Sequence, residues 1–452
     1  FYRSASHFCS VFNPEPSAQE RRCTPANASS AMDVMGTDLP GMRHWFFTPA
    51  PFCFGASLEA APEIGESLPD GPWLMMGLAT EPGEHGFTRF GFDAREDGFC
   101  LTLAYEGHTA VQGRWRSPAV VFCFGAEDPY AGIRRYVEIL ERLAVIAPHV
   151  QRIRPAWWSR PIFCGWGAQC HLGRLAGEPA AAFSTQANYD DFLGHLANRG
   201  LRPGTVVIDD KWQAAYGTAE ADITKWPDLK GWIARRHAGE QRVLLWWKAW
   251  DTEGLHRDLC VRDPFDRPIA ADPSQPDYEA FLREGIVRLL GADGLDADGF
   301  KIDFTARTPT GEDLRSHGDV WGVELLHRLL AIMYSEAKRI KPDALIITHT
   351  PNPYFRTVTD MIRLNDVNTR HAVLPQMWHR AHVAQAACPD LLIDPDNWQM
   401  PDRASWRRYL AVQNAIGVPS LYYASHVDLT SESFEDGDYA AIADAWETAQ
   451  TT

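Results

Sequence analysis

Hydrophobic and polar residues alternate in short runs over the first part of the chain. Three β-rich runs, separated by Gly, Pro, Asp and Glu clusters, lie at residues 87–92, 100–105 and 119–124. Residues 1–40, rich in Ser, Pro and Ala, show little periodicity and predict loop or poorly ordered structure. The pattern predicts an antiparallel, β-sandwich-like N-terminal domain over residues 1–128.

The pattern changes to helical spacing after Asp128. Apolar residues recur every three or four positions over 130–143, and Pro129 stands at an early helical position. This predicts a connecting helix and linker over residues 129–154.

Beyond residue 160, short apolar strands alternate with helical stretches, which is typical of parallel βαβ units. Eight strands are predicted, at residues 162–166, 205–209, 243–248, 299–303, 344–349, 361–365, 391–394 and 420–424. Eight is the number that closes a (β/α)8 barrel. The fold class is therefore α/β, with a (β/α)8 TIM barrel over residues 155–452 preceded by the antiparallel β-domain.

Polar side chains fall repeatedly at one end of the predicted strands. At or just after a strand's C-terminal end stand Asp209, Asp210, Lys248, Asp303, His349, Asp366 and Asp394. In such barrels this rim is where catalytic residues are assembled.

The segment DGFKIDF, residues 298–304, places two charges in an otherwise apolar strand. Because side chains alternate, Lys301 and Asp303 should face the barrel interior. The opposite face should pack on the helical layer with Phe300, Ile302 and Phe304. The charged residues are either a structural ion pair or a carboxylate nucleophile kept ionised by a neighbouring ammonium group.

A second carboxyl group is needed across the mouth if the site cleaves glycosidic bonds, since that reaction uses two carboxyl groups. Asp366, just past the sixth strand, is on the correct rim, and its alternative role is a helix or loop cap. Asp360, before the same strand, and Asp298, before the fourth, should lie at the opposite end and be structural.

Further candidates are typical of sugar binding. Asp209 and Asp210 in IDDKWQ could accept hydrogen bonds from hydroxyl groups, and Trp212 could pack on a sugar ring; a helix cap and a core tryptophan are the alternatives. His349 and Arg363 could donate to hydroxyls or be structural. The tryptophans near strand ends, some expected to be core, are Trp166, Trp246, Trp247, Trp250 and Trp398.

Composition narrows the possible partners. The 452-residue chain has 45% hydrophobic residues and a net charge of −16, which argues against a nucleic-acid partner. Nine scattered cysteines without a CxxC pair indicate neither a zinc site nor a disulfide framework, and no apolar run is long enough to predict a membrane span. The chain begins with Phe, which suggests a fragment or processed product, and the sequon at Asn27 is a weak pattern, so the compartment stays open.

Five segments together resemble the family 36 glycoside hydrolases, retaining α-galactosidases and raffinose synthase-like transferases in a clan shared with families 27 and 31. They are FCGWGAQ (163–169), VVIDDKWQ (206–213), VLLWWKAW (243–250), DGFKIDF (298–304) and MIRLNDVNT (361–369). The resemblance implies that Asp303 is the nucleophile and Asp366 the general acid/base. It also implies an oligosaccharide or glycoside substrate and no cofactor or metal.

The predicted substrate-binding set comprises Asp209, Asp210, Trp212, Trp166, Lys248, Trp247, Lys301, His349 and Arg363. Of these, the resemblance implies hydroxyl contacts for Asp209, Asp210 and Lys301, with Trp212 and Trp166 nearby. The chain departs from the family in having Lys211 where raffinose synthase-like members have glycine, and HTPNPYF (349–355) where bacterial members have SGGGR. Four alternatives stay open: a galactosyltransferase, a family 31 α-glucosidase, a metal-dependent hydrolase and a non-catalytic carbohydrate-binding protein.

Overall fold

The computed structural model describes residues 4–6, 29–33, 51–57, 72–95, 98–369 and 372–451. Within residues 1–40 it describes two short strands. The described residues do not include the rest of the predicted loop, in which Asn27, Cys9 and Cys23 lie. Free thiols are found at Cys100, Cys123, Cys164, Cys170, Cys260 and Cys388.

The N-terminal part forms two antiparallel sheets. One has the order β1 (Ser4–Ser6), β3 (Cys53–Ser57), β4 (Trp73–Ala79), β7 (Ala119–Ala126). The other has the order β2 (Ser29–Asp33), β5 (Arg89–Arg95), β6 (Gly98–Ala104). The antiparallel β-domain predicted from the alternation is confirmed, and it includes β4, a fully buried run that the alternation did not indicate.

Helix α1 (Pro129–Arg142) lies between strand β7 of this domain and the first barrel strand. Asp128 caps it by accepting a hydrogen bond from the Ala131 amide at 2.7 Å. Ile133, Tyr136 and Leu140 are buried, and the Tyr136 hydroxyl donates to the Leu78 carbonyl of β4. The apolar stripe of the helix is therefore what packs it on the first sheet.

All eight predicted barrel strands are present and parallel. They are β8 (Ile162–Cys164), β9 (Thr205–Ile208), β10 (Arg242–Lys248), β13 (Gly299–Asp303), β14 (Leu345–Thr348), β15 (Met361–Arg363), β16 (Leu392–Asp394) and β17 (Ser420–Leu421). The loop after β10 adds a hairpin of β11 (Cys260–Arg262) and β12 (Pro268–Ala271). The sheet is nearly closed, because the Val418 amide before β17 donates to the Ile393 carbonyl of β16 at 2.8 Å.

Helices surround the strands and bury their own apolar faces against them. They are α2 (Trp166–Ala176), α3 (Gln186–Ala197), α4 (Leu229–Ala238), α5 (Pro276–Leu290), α6 (Gly322–Ile340), α7 (Val373–Ala387), α8 (Arg403–Leu410), α9 (Gln413–Ile416) and α10 (Asp436–Thr451). One continuous buried cluster joins the barrel to the β-domain. In the described part of the chain, no helix has the length and apolar character needed to cross a membrane.

Asp298 and Asp360 lie at the N-terminal ends of their strands, as expected of structural residues. Asp298 accepts hydrogen bonds from the Val243 amide at 2.8 Å and from the ammonium group of Lys341 at 3.3 Å. Asp360 accepts from the Ile346 amide at 3.0 Å. Both carboxylates tie neighbouring strands together at the end opposite the rim.

Candidate active site

Asp303 ends strand β13 and is held from three sides. The indole N–H of Trp246 donates to its Oδ2 at 3.1 Å, and its Oδ1 accepts from the Phe304 amide at 2.7 Å and from Arg363 Nη2 at 3.2 Å. His349 Nε2 lies 3.6 Å from the same Oδ1. The side chain remains 19% exposed, so it can reach a bound molecule.

These contacts favour the ionised form of Asp303. Burial alone would raise the pKa, but the charges of Arg363, His349 and Lys301 and the hydrogen bond from the Phe304 amide together lower it well below its usual range. Asp303 is therefore an anion throughout the neutral range, as a nucleophile must be.

Asp366 lies beside Asp303 because both contact one guanidinium group. Arg363, in strand β15, donates from Nη1 to Asp366 Oδ1 at 3.1 Å and from Nη2 to Asp303 at 3.2 Å. Arg363 was predicted either to donate to sugar hydroxyls or to be structural. It is only 2% exposed, however, and its donors are directed at protein carboxylates, so it bridges the two candidate catalytic acids.

The pKa of Asp366 moves in the opposite direction. Burial raises it from 3.8 to about 7, the charges of Asp396 and Asp303 add to this effect, and Arg363 opposes it. Asp366 can therefore carry a proton near neutral pH while Asp303 does not. Two carboxyl groups whose environments separate their pKa values in this way are suited to acid and nucleophile roles.

Lys301 does face the barrel interior, but its ion-pair partner is on another strand. Its ammonium group lies 2.7 Å from Asp209 Oδ2 and 3.5 Å from Cys164 Sγ, and both charged side chains are 3% exposed. The structural Lys301–Asp303 ion pair, one of the two alternatives, is not formed; the ammonium group of Lys301 instead lowers the pKa of Asp303 by a longer-range electrostatic interaction. Cys164 also donates to Asp209 at 3.0 Å, so the protein itself satisfies this pair.

Phe304 departs from the predicted alternation. The strand ends at Asp303, and Phe304 has a φ of 56°, in the left-handed region. Its ring meets Trp246 edge-to-face at 6.1 Å and lies 5.6 Å from the ammonium group of Lys248. Phe304 therefore lies at the mouth and not against the helical layer, whereas Phe300 and Ile302 point outward as expected.

Asp210 lies at the rim and is half-buried. Its Oδ1 accepts from the Tyr216 hydroxyl at 2.7 Å, and burial raises its pKa to about 6 in spite of that bond. Lys248, opposite Asp303 in the strand register, lies 2.8 Å from Asp251 and 4.0 Å from the Tyr216 ring centroid. Lys211 has a φ of 71°, a conformation that suits glycine best.

The tryptophans divide between core and mouth. Trp212 is fully buried, and its indole N–H donates to the Trp246 carbonyl at 2.8 Å. Trp247 packs on Phe300 on the outer face of the barrel, with ring centroids 5.8 Å apart. Neither can offer a sugar platform, so both assignments are corrected to core. At the mouth, half-buried Trp166 and Trp398 meet edge-to-face at 5.6 Å.

The remaining predicted groups are buried, and sequence reasoning missed an acid among them. His349 is 1% exposed and its Nε2 lies 3.1 Å from the Thr305 hydroxyl. Asp394 is also buried, and burial raises its pKa to about 6. Asp396, two residues later, binds Arg363; the signal that could have found it is the repeated acid in IDPDNW.

Among the described residues, no group of three or more His, Cys, Asp or Glu side chains is arranged to hold a metal ion. The carboxylates at the mouth contact Arg363 and Lys301 instead, and these cations would repel a divalent ion.

No protein-family model matches the chain, and no curated protein matches it in sequence. Solved structures do resemble it. A cycloalternan-degrading enzyme from Trueperella pyogenes has a TM-score of 0.63 at 13% identity, over 93% of this chain and 63% of its own. The uncharacterized protein lmo2446 from Listeria monocytogenes EGD-e, solved with glucose, magnesium and calcium, has a TM-score of 0.62 at 11% identity, over 99% of this chain and 42% of its own.

The T. pyogenes enzyme has also been solved with isomaltose, at a TM-score of 0.60 and 14% identity over 93% of this chain and 62% of its own. The present chain thus spans less than two thirds of each of these proteins. At such identities the likeness shows the shared fold, a barrel with an antiparallel β-domain.

Proposed function

We propose that the protein is a retaining α-glycosidase in which Asp303 is the nucleophile and Asp366 the general acid/base. One observation carries the proposal. Two carboxyl groups at the rim share the guanidinium group of Arg363, yet the pKa of Asp303 is lowered and that of Asp366 is raised to about 7. One carboxyl can attack while the other donates a proton.

The reaction has two steps. Asp303 attacks the anomeric carbon and forms a glycosyl ester, while the Asp366 proton passes to the departing glycosidic oxygen. Asp366, now ionised, takes a proton from a water molecule or acceptor hydroxyl, whose oxygen displaces Asp303 from the sugar. Each step inverts the anomeric carbon, so the product keeps the α configuration.

The surrounding residues suit a sugar in the site. Asp210 and Lys248 flank Asp303 at the mouth with polar atoms for hydroxyl groups, and Trp166 and Trp398 provide aromatic surface nearby. Asp209 and Lys301, bound to each other, form a buried support behind them. For His349 the contact with Asp303 supports a role in holding the nucleophile.

The family resemblance favours α-galactosides as substrates, cleaved by hydrolysis or transferred to an acceptor sugar. A second candidate is α-glucoside cleavage. It is favoured by the structural neighbours, which include an enzyme named for degrading cycloalternan and solved with isomaltose. A panel of aryl α-galactosides and α-glucosides, with and without an acceptor oligosaccharide, separates these candidates.

The roles of the two acids are tested with azide. In Asp303→Gly, azide should replace the nucleophile and give the inverted β-glycosyl azide from an activated α-glycoside. In Asp366→Gly, azide should instead attack the glycosyl-enzyme and give the α-glycosyl azide. Opposite anomers from the two variants would identify both roles; the same anomer from both, or wild-type turnover in Asp303→Gly, would refute the assignment.

Two other classes make different predictions for the wild type. A metal-dependent hydrolase would lose activity with EDTA and regain it with a divalent ion. A non-catalytic carbohydrate-binding protein would bind oligosaccharides without turning over any aryl glycoside. The proposed enzyme should turn over at least one α-glycoside and be unaffected by EDTA.

A further inference from the structure

Asp396 is a buried acid in direct contact with the residue that links the candidate catalytic pair. It lies after strand β16 and is 0% exposed. One carboxylate oxygen, Oδ2, binds Arg363 Nη1, and the other accepts from the Trp398 amide at 2.8 Å. Asp396 therefore joins the catalytic centre on one side to the aromatic rim on the other.

The position of this contact on the guanidinium group matters. Asp396 binds Nη1, the same nitrogen that donates to Asp366 at 3.1 Å, while Nη2 donates to Asp303 at 3.2 Å. Asp366 therefore shares its donor nitrogen with a second carboxylate, whereas Asp303 shares Nη2 with the uncharged side-chain oxygen of Asn365, at 3.1 Å. This asymmetry gives the two catalytic acids different electrostatic surroundings.

We propose that Asp396 is a positioning residue that anchors Arg363 and competes with Asp366 for its charge, so that Asp366 keeps the proton it must donate. The proposal rests on the proposed function, in which Asp366 is the acid/base. It assigns to Asp396 no contact with the substrate, and its effect is exerted through Arg363 and through its own charge.

Asp366 has other charged neighbours besides Asp396. Titratable or charged groups near Asp366 or its partners come from strands, loops and helices: Arg363, Asp303, Asp394, Asp396, Cys170, Arg380, Tyr409 and Tyr422. The Arg380 guanidinium donates to the backbone carbonyl of Asp366 at 2.7 Å. Among the charges that raise the pKa of Asp366, Asp396 has the largest effect and Asp303 the next.

The test is the pH profile of Asp396→Asn. Asparagine keeps the shape and the acceptor for the Trp398 amide and tolerates the φ of 55°, but it has no charge. Arg363 is then free to favour ionised Asp366. The alkaline limb of kcat/KM for an unactivated α-glycoside should move down by about one pH unit, and the acid limb, set by Asp303, should not rise.

The leaving group provides a second readout. A dinitrophenyl α-glycoside needs no proton on its leaving oxygen, so its kcat/KM should change little in Asp396→Asn at any pH. The unactivated glycoside should lose about tenfold above the wild-type limb, which corresponds to a shift of one unit.

Asp428→Asn is the matched control, because Asp428 is a buried rim carboxylate that binds the Trp398 indole and Gln399 but makes no contact with Arg363. The proposal is supported if the alkaline limb of kcat/KM shifts in Asp396→Asn but not in Asp428→Asn, and only for the unactivated substrate. Equal losses for both substrates, or an equal shift in both variants, overturn it. A wild type that cleaves no α-glycoside refutes the proposed function itself, so the two failures are distinguishable.

Discussion

The buried pair of Lys301 and Asp209 makes a stability prediction that is independent of any substrate. The ammonium and carboxylate groups are 2.7 Å apart and each side chain is 3% exposed. Replacing Lys301 with methionine keeps the chain length and leaves Asp209 with only Cys164 and backbone donors. Its charge would then be buried without a cation at hydrogen-bonding distance.

The expected magnitude follows from that burial. Removing one partner of a buried ion pair costs about 3–5 kcal/mol, whereas replacing both partners by neutral groups of similar volume is often close to neutral. Lys301→Met should therefore lower the free energy of unfolding by about 3–5 kcal/mol. The double variant Lys301→Met/Asp209→Asn should recover most of that loss.

The stability that the Lys301 ammonium group itself contributes in the wild type should not vary with pH in the neutral range. Burial would lower the pKa of Lys301, but Asp209 and the other nearby acidic groups outweigh burial and raise it. A raised lysine pKa contributes stability that is fully present below the unfolded value of 10.5 and is lost only as the pH rises through the folded one. Between pH 6 and 9 both states carry the proton.

The measurement is urea unfolding of the wild type, both single variants and the double variant at pH 6, 7.5 and 9. Arg235→Met serves as the control, since the Arg235–Asp228 pair is 3.5 Å apart and 50% and 61% exposed, and its loss should cost less than about 1 kcal/mol. A Lys301→Met variant within about 1 kcal/mol of wild type, or a double variant less stable than either single one, would contradict the interpretation.

Three further predictions concern other parts of the molecule. Ala144, just after α1, is exposed with a φ of 55°, so Ala144→Gly should raise the free energy of unfolding by about 1 kcal/mol in urea denaturation. Burial raises the pKa of Asp366 from 3.8 to about 7, so the ionised carboxylate destabilises the folded state increasingly as the pH rises between those values. Asp366→Asn should therefore stabilise the protein at pH 8 and change its stability little at pH 4, as measured by thermal unfolding. Trp398→Ala should act mainly on substrate binding and raise KM for an oligosaccharide, as measured by steady-state kinetics. Trp212→Ala should act on the fold and lower the free energy of unfolding by about 3–5 kcal/mol, as measured by calorimetry.

The fold could be predicted where apolar residues had a recognisable period. The eight barrel strands stood out because each is a short apolar run between helical stretches, and each was found at the expected place. Strand β4 was missed for a physical reason: WLMMGLA is buried on both faces, so it shows no alternation. The hairpin β11–β12 was hidden inside a loop, where three- and four-residue strands have too little pattern to detect.

For the site, the sequence located acids but not their partners. Asp303 and Asp366 were found because strand ends mark the rim of a barrel. Lys301 was assigned to Asp303 because they are neighbours along one strand, but the inward side chain pairs across the barrel with Asp209. Such a contact depends on the curvature of the closed sheet, which no local pattern encodes.

Two aromatic assignments, Trp212 and Trp247, were wrong for a related reason. Trp212 and Trp247 have neighbours in sequence that face the mouth. The turn after β9 directs the Trp212 ring into the core, and the alternation of side chains along β10 does the same for Trp247. Trp246, one residue before Trp247, is the indole that donates to Asp303. Strand register thus decides which of two adjacent tryptophans contacts Asp303.

Lys301 and Arg363 are buried cations near the mouth, and they differ in the number of carboxylates that each contacts. This difference explains which carboxyl group keeps its proton. Lys301 faces one carboxylate at hydrogen-bonding distance, Asp209, so that pair is balanced. Arg363 faces three, Asp303, Asp366 and Asp396, and a single positive charge cannot compensate three negative ones in a buried site. One acid must therefore be neutral near pH 7. It is Asp366, because its pKa is raised to about 7 and it shares its donor nitrogen with Asp396. In the proposed mechanism an additional cation here would favour ionised Asp366 and so remove the general acid.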